Sequence, residues 1–176
     1  MALLSGLPYQ EARFLYQTNI IEMVRKTMND LNMSANILLI EDDQADQKLI
    51  KAALKYETST INLNIANNAE EALSFLDPLT SPDNDLAHPD LILLDLNMPG
   101  MGGKEFLRNI KSQEKLKQIP VIIVTTSDSE RDIQDSYKLQ AAGYIHKPSS
   151  LNDFKQVVQE IKQYWFLLCR LPSQEN

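Results

Sequence analysis

The stretch "LILLDLNMPG", residues 91–100, runs four aliphatic side chains into one carboxylate, Asp95, and ends in Met98-Pro99-Gly100. A short unbroken apolar run bounded by turn residues predicts a strand buried on both faces, the kind that parallel sheets contain. Pro99 and Gly100, followed by Gly102 and Gly103, turn the chain out of it. Asp95 is thereby placed near the carboxyl end of a central strand, the edge at which open parallel sheets bind ligands. An Asp there also has an ordinary use, capping a turn. The stretch by itself does not choose between the two.

Outward from it, the chain alternates. "NILLIEDD" (36–43) is an apolar run ending in acids, and "QADQKLIKAALKYE" (44–57) places Ala45, Leu49, Ala52, Ala53 and Tyr56 at helical spacing. "INLNIANN" (61–68) alternates like a strand with one exposed face, which suits a sheet edge, and "AEEALSFLD" (69–77) is a short helix stopped by Pro78. "PLTSPDNDLAHP" (78–89) has loop composition. Beyond "DLILLDL" (90–96) come a helix with Phe106, Leu107 and Ile110 inward and the apolar run "IPVIIVTTS" (119–127). A weakly amphipathic helix, "SERDIQDSYKLQ" (129–140), and the short strand "AGYIHKP" (142–148) follow. A last helix runs from Ser150 to about Leu168, with Ser150 and Asp153 as a capping box. Five strands joined by helices require parallel pairing through right-handed crossovers. The expectation is an open, doubly wound α/β domain over 36–170, with helices on both faces, an N-terminal extension over 1–35 and a tail over 171–176.

Bulk composition narrows the function. The 176 residues are 43% hydrophobic, enough for a full core, and carry a net charge of −7, which argues against non-specific nucleic-acid binding. No run of 18 apolar residues occurs, so no membrane span is expected, and "MALLSGL" lacks the basic start of a signal peptide; the expected location is cytoplasmic. One cysteine, Cys169, rules out an internal disulfide and a Cys-rich zinc site; His88 and His146 leave little for a His-based site.

The strand ends then form a pattern. The first ends in Glu41-Asp42-Asp43, the third in Asp95, the fourth in Thr125-Thr126-Ser127 and the fifth in Lys147-Pro148. At one sheet edge these would bring together carboxylates, a hydroxyl and an ammonium. A carboxylate cluster is unfavourable unless a cation sits in it, and oxygen ligands with open water positions suit Mg²⁺. Lys and Thr beside a carboxylate and a metal suit a transferred phosphoryl group, with Asp95 as the nucleophile. Each residue alone has a plainer reading: a strand-ending Lys, a turn Thr, an acidic N-cap cluster. Their joint occurrence at successive strand ends favours the chemical one.

"ILLIEDD", "LILLDLNMPGMGG", "PVIIVTTS" and "AAGYIHKP", in this order over some 130 residues, resemble the receiver domains of two-component response regulators. The resemblance implies a flavodoxin-like sheet of order 2-1-3-4-5 and a signalling role, with self-phosphorylation and self-dephosphorylation as its only chemistry. It implies Asp95 as phospho-acceptor and Glu41, Asp42, Asp95 and the main-chain carbonyl of Asn97 around Mg²⁺. It also implies Lys147 on the phosphoryl group, Thr125 and Tyr144 as switch residues, and a cis Lys147–Pro148 bond. "IEDD" offers Glu41/Asp42 or Asp42/Asp43 as the acidic pair; strand register favours the first and leaves Asp43 to open the helix. The loop over 78–89 and "IKQYWFLLCRLP" resemble the cyanobacterial phytochrome-associated single-domain members. That implies a histidine kinase partner, a bacterial phytochrome among the candidates, signalling by docking or phosphorelay, and a homodimer through the fourth helix, fifth strand and fifth helix. Along that last helix Leu151, Phe154, Val158, Ile161, Trp165 and Leu168 make an inward stripe, leaving Val157, Tyr164, Phe166 and Leu167 beside or outside it. In the extension, Tyr16, Ile20, Met23, Val24, Met28 and Leu31 share a helical face, or the chain starts in effect at Met33.

Two other classes compete. A haloacid-dehalogenase-type phosphatase also has an Asp nucleophile after an apolar strand, but Asn97 stands where its second Asp belongs, and its nucleophile lies on the first strand. A nucleotide- or flavin-binding module would need a glycine-rich loop after strand one, where "EDDQAD" is acidic instead.

Overall fold

The computed structural model describes residues 34–54, 60–77 and 88–169. The candidate helix before Met33, most of the loop after Pro78 and the C-terminal tail lie outside the described residues. Five parallel strands form one sheet in the order β2-β1-β3-β4-β5: β1 (Ser34–Ile40), β2 (Thr60–Ala66), β3 (Leu91–Leu94), β4 (Val121–Thr125) and β5 (Gly143–His146). The described helices are α1 (Gln44–Leu54), α2 (Ala69–Leu76), α3 (Gly102–Lys111), α4 (Glu130–Lys138) and α5 (Leu151–Gln163), the last continuing as a π turn over Tyr164–Leu168. The doubly wound fold and its strand order are as the sequence leads one to expect.

The period-two geometry of a strand explains the two cores. Leu38 and Ile40, Ile92 and Leu94, Val121 and Ile123 face one side, where Ala69, Ala72, Leu76, Phe106, Leu107 and Ile110 of α2 and α3 cover them. Ile37, Leu39, Leu91, Leu93, Ile122 and Val124 face the other, covered by Ile50, Ala53 and Leu54 of α1 and by Phe154, Val158 and Ile161 of α5. β3 and β4 are buried throughout. β2 alternates at one edge, with Asn62 and Asn64 exposed, while β5 forms the other edge.

Side-chain caps set the starts of α1, α2 and α5. Asp43 accepts from the amides of Ala45 at 2.8 Å and Asp46 at 2.9 Å, which opens α1. Asn68 accepts from Glu71 N at 2.7 Å at the head of α2. Ser150 supplies its half of the expected box, accepting from Asp153 N at 3.5 Å. α4 is the least anchored helix: Ser136 is its buried residue, with the hydroxyl turned back to Asp132 O at 2.7 Å.

Two expectations are corrected here. The Lys147–Pro148 peptide is trans, not cis. The apolar stripe of the last helix also changes register: Leu151 and Leu168 are exposed, Trp165 is half-buried, and Phe166 is buried. A steady 3.6-residue period carries Ile161 to Trp165 and Leu168. The π turn over Tyr164–Leu168 adds a residue to the turn, so Phe166, five after Ile161, enters the core.

Candidate functional site

The carboxyl ends of β1, β3, β4 and β5 lie along one edge, and the chain beyond β1, β3 and β5 continues the ladder by one bond. Glu41 N donates to Ala66 O at 3.1 Å, Asp95 N to Ile40 O at 3.0 Å, and Lys147 N to Thr125 O at 2.7 Å. The backbone positions of three site residues are therefore fixed by the sheet rather than by loops.

Their side chains converge. Lys147, 6% exposed, directs Nζ to Glu41 Oε2 at 2.6 Å, Asp46 Oδ2 at 2.8 Å and Asp95 Oδ2 at 3.1 Å. The other oxygen of Asp95 accepts from Asn97 N at 3.1 Å. Glu41 is buried, and its main-chain carbonyl accepts from Gln47 Nε2 at 2.6 Å, an amide that also bonds Asn67 at 3.0 Å. Thr125 is fully buried; its hydroxyl oxygen accepts from Asn97 Nδ2 and Ser127 N, both at 3.4 Å. Tyr144 is half-buried and donates to Ser127 O at 2.9 Å.

Electrostatics make this an unbalanced cluster. Burial pushes Glu41 up to about 7; Lys147 offsets part of the shift and nearby Asp95 adds to it. Burial alone would lower the pKa of Lys147, but the carboxylates of Asp46, Glu41 and Asp95 outweigh it and hold the ammonium above its ordinary value. One carboxylate oxygen from each of Glu41, Asp42 and Asp95 lies within 4.8 Å of the others. Asp42 is exposed and opens the trio to solvent. Three hard oxygen donors with a solvent side, and more negative than positive charge around them, fit a divalent cation of the Mg²⁺ class.

The structure thus brings together Glu41, Asp42, Asp95, Thr125 and Lys147, with Asn97 over Thr125 and Tyr144 joined through Ser127. Of the two acidic pairs that "IEDD" offered, Glu41/Asp42 is the one beside Asp95, while Asp43 caps α1. Several neighbours escaped the sequence reading. Asp46 is the second-nearest anion to Lys147; its place one helical turn after the acid pair is the signal that could have found it. Glu70 holds the loop after β3 through Met101 N at 3.1 Å. Lys104 of α3 reaches Asp132 at 2.6 Å and Asp135 at 3.2 Å, and Asp132 in turn accepts from Ser127 Oγ at 2.5 Å.

Known proteins place this arrangement. The model of the response regulator receiver domain matches residues 37–159. Response regulator Rcp1 of Synechocystis sp. is 39% identical over 137 residues, covering 78% of this chain and 92% of its own. The crystal structure of the phosphorylated cyanobacterial phytochrome response regulator RcpA superposes with a TM-score of 0.75 at 38% identity, over 80% of this chain and all (100%) of that one. The Mn²⁺-bound form of Rcp1 gives 0.72 at 38% identity, over 79% and 99% of the two chains. Among the described residues no helix is long and apolar enough to cross a membrane. With strand-end acids, hydroxyl and lysine on the expected sheet and relatives of this kind, the chain belongs to the response regulator receiver domain family and is of the Rcp1 type.

Proposed function

We propose that this protein accepts a phosphoryl group on Asp95 from a histidine kinase, in a Mg²⁺-dependent reaction, and signals in the cytoplasm by phosphorylation-dependent protein binding or phosphorelay. The observation that carries the reading is Lys147 bridging Glu41 and Asp95 beside the converging carboxylate of Asp42. An oxygen of Asp95 would attack phosphorus as the bond from phosphorus to the donor imidazole breaks; the leaving nitrogen takes the electron pair, and the imidazole, protonated on its other nitrogen, leaves neutral. Glu41, Asp42, Asp95 and the main-chain carbonyl of Asn97 would hold Mg²⁺, which when bound supplies neutralisation of the phosphoryl oxygens. Lys147 meets another of these oxygens, and Thr125 turns its hydroxyl toward the third. Tyr144, tied to the same loop through Ser127 O at 2.9 Å, reports that movement at the surface. The chemistry is confined to acquiring and losing one phosphoryl group. RcpA is described as a phytochrome response regulator, which supports a phytochrome-type kinase as partner. The receiver unit proposed is 36–170, flanked by an extension over 1–35 and a tail over 171–176.

The test is incubation with a small phosphodonor, followed by intact mass. Phosphate should be added with Mg²⁺ and not with excess chelator. Equal labelling in both conditions would sink the metal requirement.

A homodimer through α4, β5 and α5 belongs to the same proposal. Tyr137 of α4, Leu151 of α5, and Tyr164 and Leu168 of the π turn are all more than half exposed, at 52%, 58%, 55% and 55%. A groove of about 460 Å³ between β5 and α5 is lined by Gly143, Ile145, Val157, Tyr164 and Trp165. Large apolar side chains flanking an open strand edge suit a closed two-fold pair. Sedimentation over a concentration series should show a dimer that Tyr164→Asp dissociates; Phe166 is unsuited to this test because it is buried. A wild-type monomer at high micromolar concentration, or a dimer indifferent to Tyr164→Asp, would refute it.

A further inference from the structure

Lys147 is held by one carboxylate outside the trio that fits a cation. Asp46 Oδ2 lies 2.8 Å from Nζ, while the trio comprises Glu41, Asp42 and Asp95. The other two anions on the ammonium, Glu41 at 2.6 Å and Asp95 at 3.1 Å, belong to both sets. With those two partners alone, ammonium and cation would compete for the same oxygens. Asp46 is the one partner of the ammonium, among these three, that the cation would not share. It sits in the first turn of α1, a segment opened by the Asp43 cap, and its side chain is 29% exposed against 2% for Glu41.

Building on the phospho-acceptor reading, we propose that Asp46 is a positioning residue. It gives the Lys147 ammonium, which lies 2.6 Å from Glu41 and 3.1 Å from Asp95, a partner at 2.8 Å outside the cation's set, so that Glu41 and Asp95 can turn to a divalent cation while Lys147 stays neutralised. Asp46 thus raises cation affinity without being a ligand. An acid in the first turn of a helix has a plainer use, favourable interaction with the helix N-terminus. A purely electrostatic role would act on a cation whether or not Lys147 were present. The two roles therefore differ in one measurable respect, which is dependence on Lys147.

A double-mutant cycle separates them. Mn²⁺ serves as the probe because it takes the same oxygen ligands as Mg²⁺ and its binding is read directly by electron paramagnetic resonance. Asp46→Asn should weaken Mn²⁺ binding about fivefold, the scale of one partly exposed ion pair. In the Lys147→Met background the same substitution should change binding by less than about twofold, within the scatter expected of uncoupled sites. Asp46→Glu, which keeps the charge and can still reach Nζ, should restore most of the affinity. Equal losses in the two backgrounds, or no loss in either, would overturn the role of Asp46 and leave the phospho-acceptor reading standing. Failure of the wild-type protein to bind Mn²⁺ at millimolar concentration would overturn both.

Discussion

Asp95→Asn is expected to lose phosphoryl acceptance entirely while remaining folded. The nucleophile is a carboxylate oxygen, and an amide oxygen at neutral pH carries neither its charge nor its reactivity. The amide oxygen can still accept from Asn97 N, the bond Asp95 makes at 3.1 Å. Lys147 keeps Glu41 at 2.6 Å and Asp46 at 2.8 Å. One negative charge leaves a cluster with an excess of them, so repulsion on Glu41 falls. Stability should therefore change by no more than about 1 kcal/mol, or rise. Intact mass after treatment with phosphodonor and Mg²⁺ would read the first outcome, and thermal unfolding the second. Labelling of the variant at the wild-type rate would mean that another residue takes the phosphoryl group.

Gly103→Ala carries the largest expected loss of stability. A Cβ on Gly103 would lie 2.2 Å from Asp95 O and 2.8 Å from Leu96 Cα. Both are backbone atoms, so no side chain can rotate away. Gly103 N also donates to Leu96 O at 3.1 Å, which pins α3 against the loop that follows Asp95. Room for a methyl group can come only from moving α3 or the end of β3. Overpacking of that kind costs about 3 kcal/mol or more, a fall in Tm of roughly 10 °C for a domain of this size. Circular dichroism melts would measure it. Gly143→Ala is the matched control: its Cβ would meet the Ile122 side chain at 3.7 Å, an ordinary contact. Equal melting of the two variants, close to wild type, would contradict the close-approach explanation. The shift of Asp95 that Gly103→Ala forces should also slow labelling in whatever fraction stays folded.

The two substitutions mark what can and cannot be read from the sequence. Asp95, Glu41, Thr125 and Lys147 can be placed on one edge from the sequence because each stands at the end of a strand, and parallel strands place their ends along one edge. Burial of β3 and β4 on both faces followed from uninterrupted runs of aliphatic side chains. Gly103 is different: nothing in the sequence distinguishes it from Gly102, which is glycine for another reason, a φ of +70°, and whose added Cβ would meet Leu96 O only at an ordinary 3.9 Å. Its constraint comes from how α3 lies on β3, a tertiary fact. The place of Asp46 one helical turn after the acid pair brings it to the site's edge, but its pairing with Lys147, across 101 residues, depends on the direction in which α1 leaves the sheet. Phe166 was misassigned for a geometric reason, since helical periodicity assumes a constant pitch and the π turn breaks it.

The location of the phosphoryl group tests the central claim most directly. Wild-type protein labelled with phosphodonor and Mg²⁺ can be reduced with borohydride, which converts an aspartyl phosphate to homoserine, and then digested and sequenced by tandem mass spectrometry. Homoserine at position 95, and at no other acid of the cluster, is the expected result. Homoserine at Asp42 or Asp43 with Asp95 intact, or phosphate retained on His146 instead, would contradict the assignment of Asp95 as the acceptor.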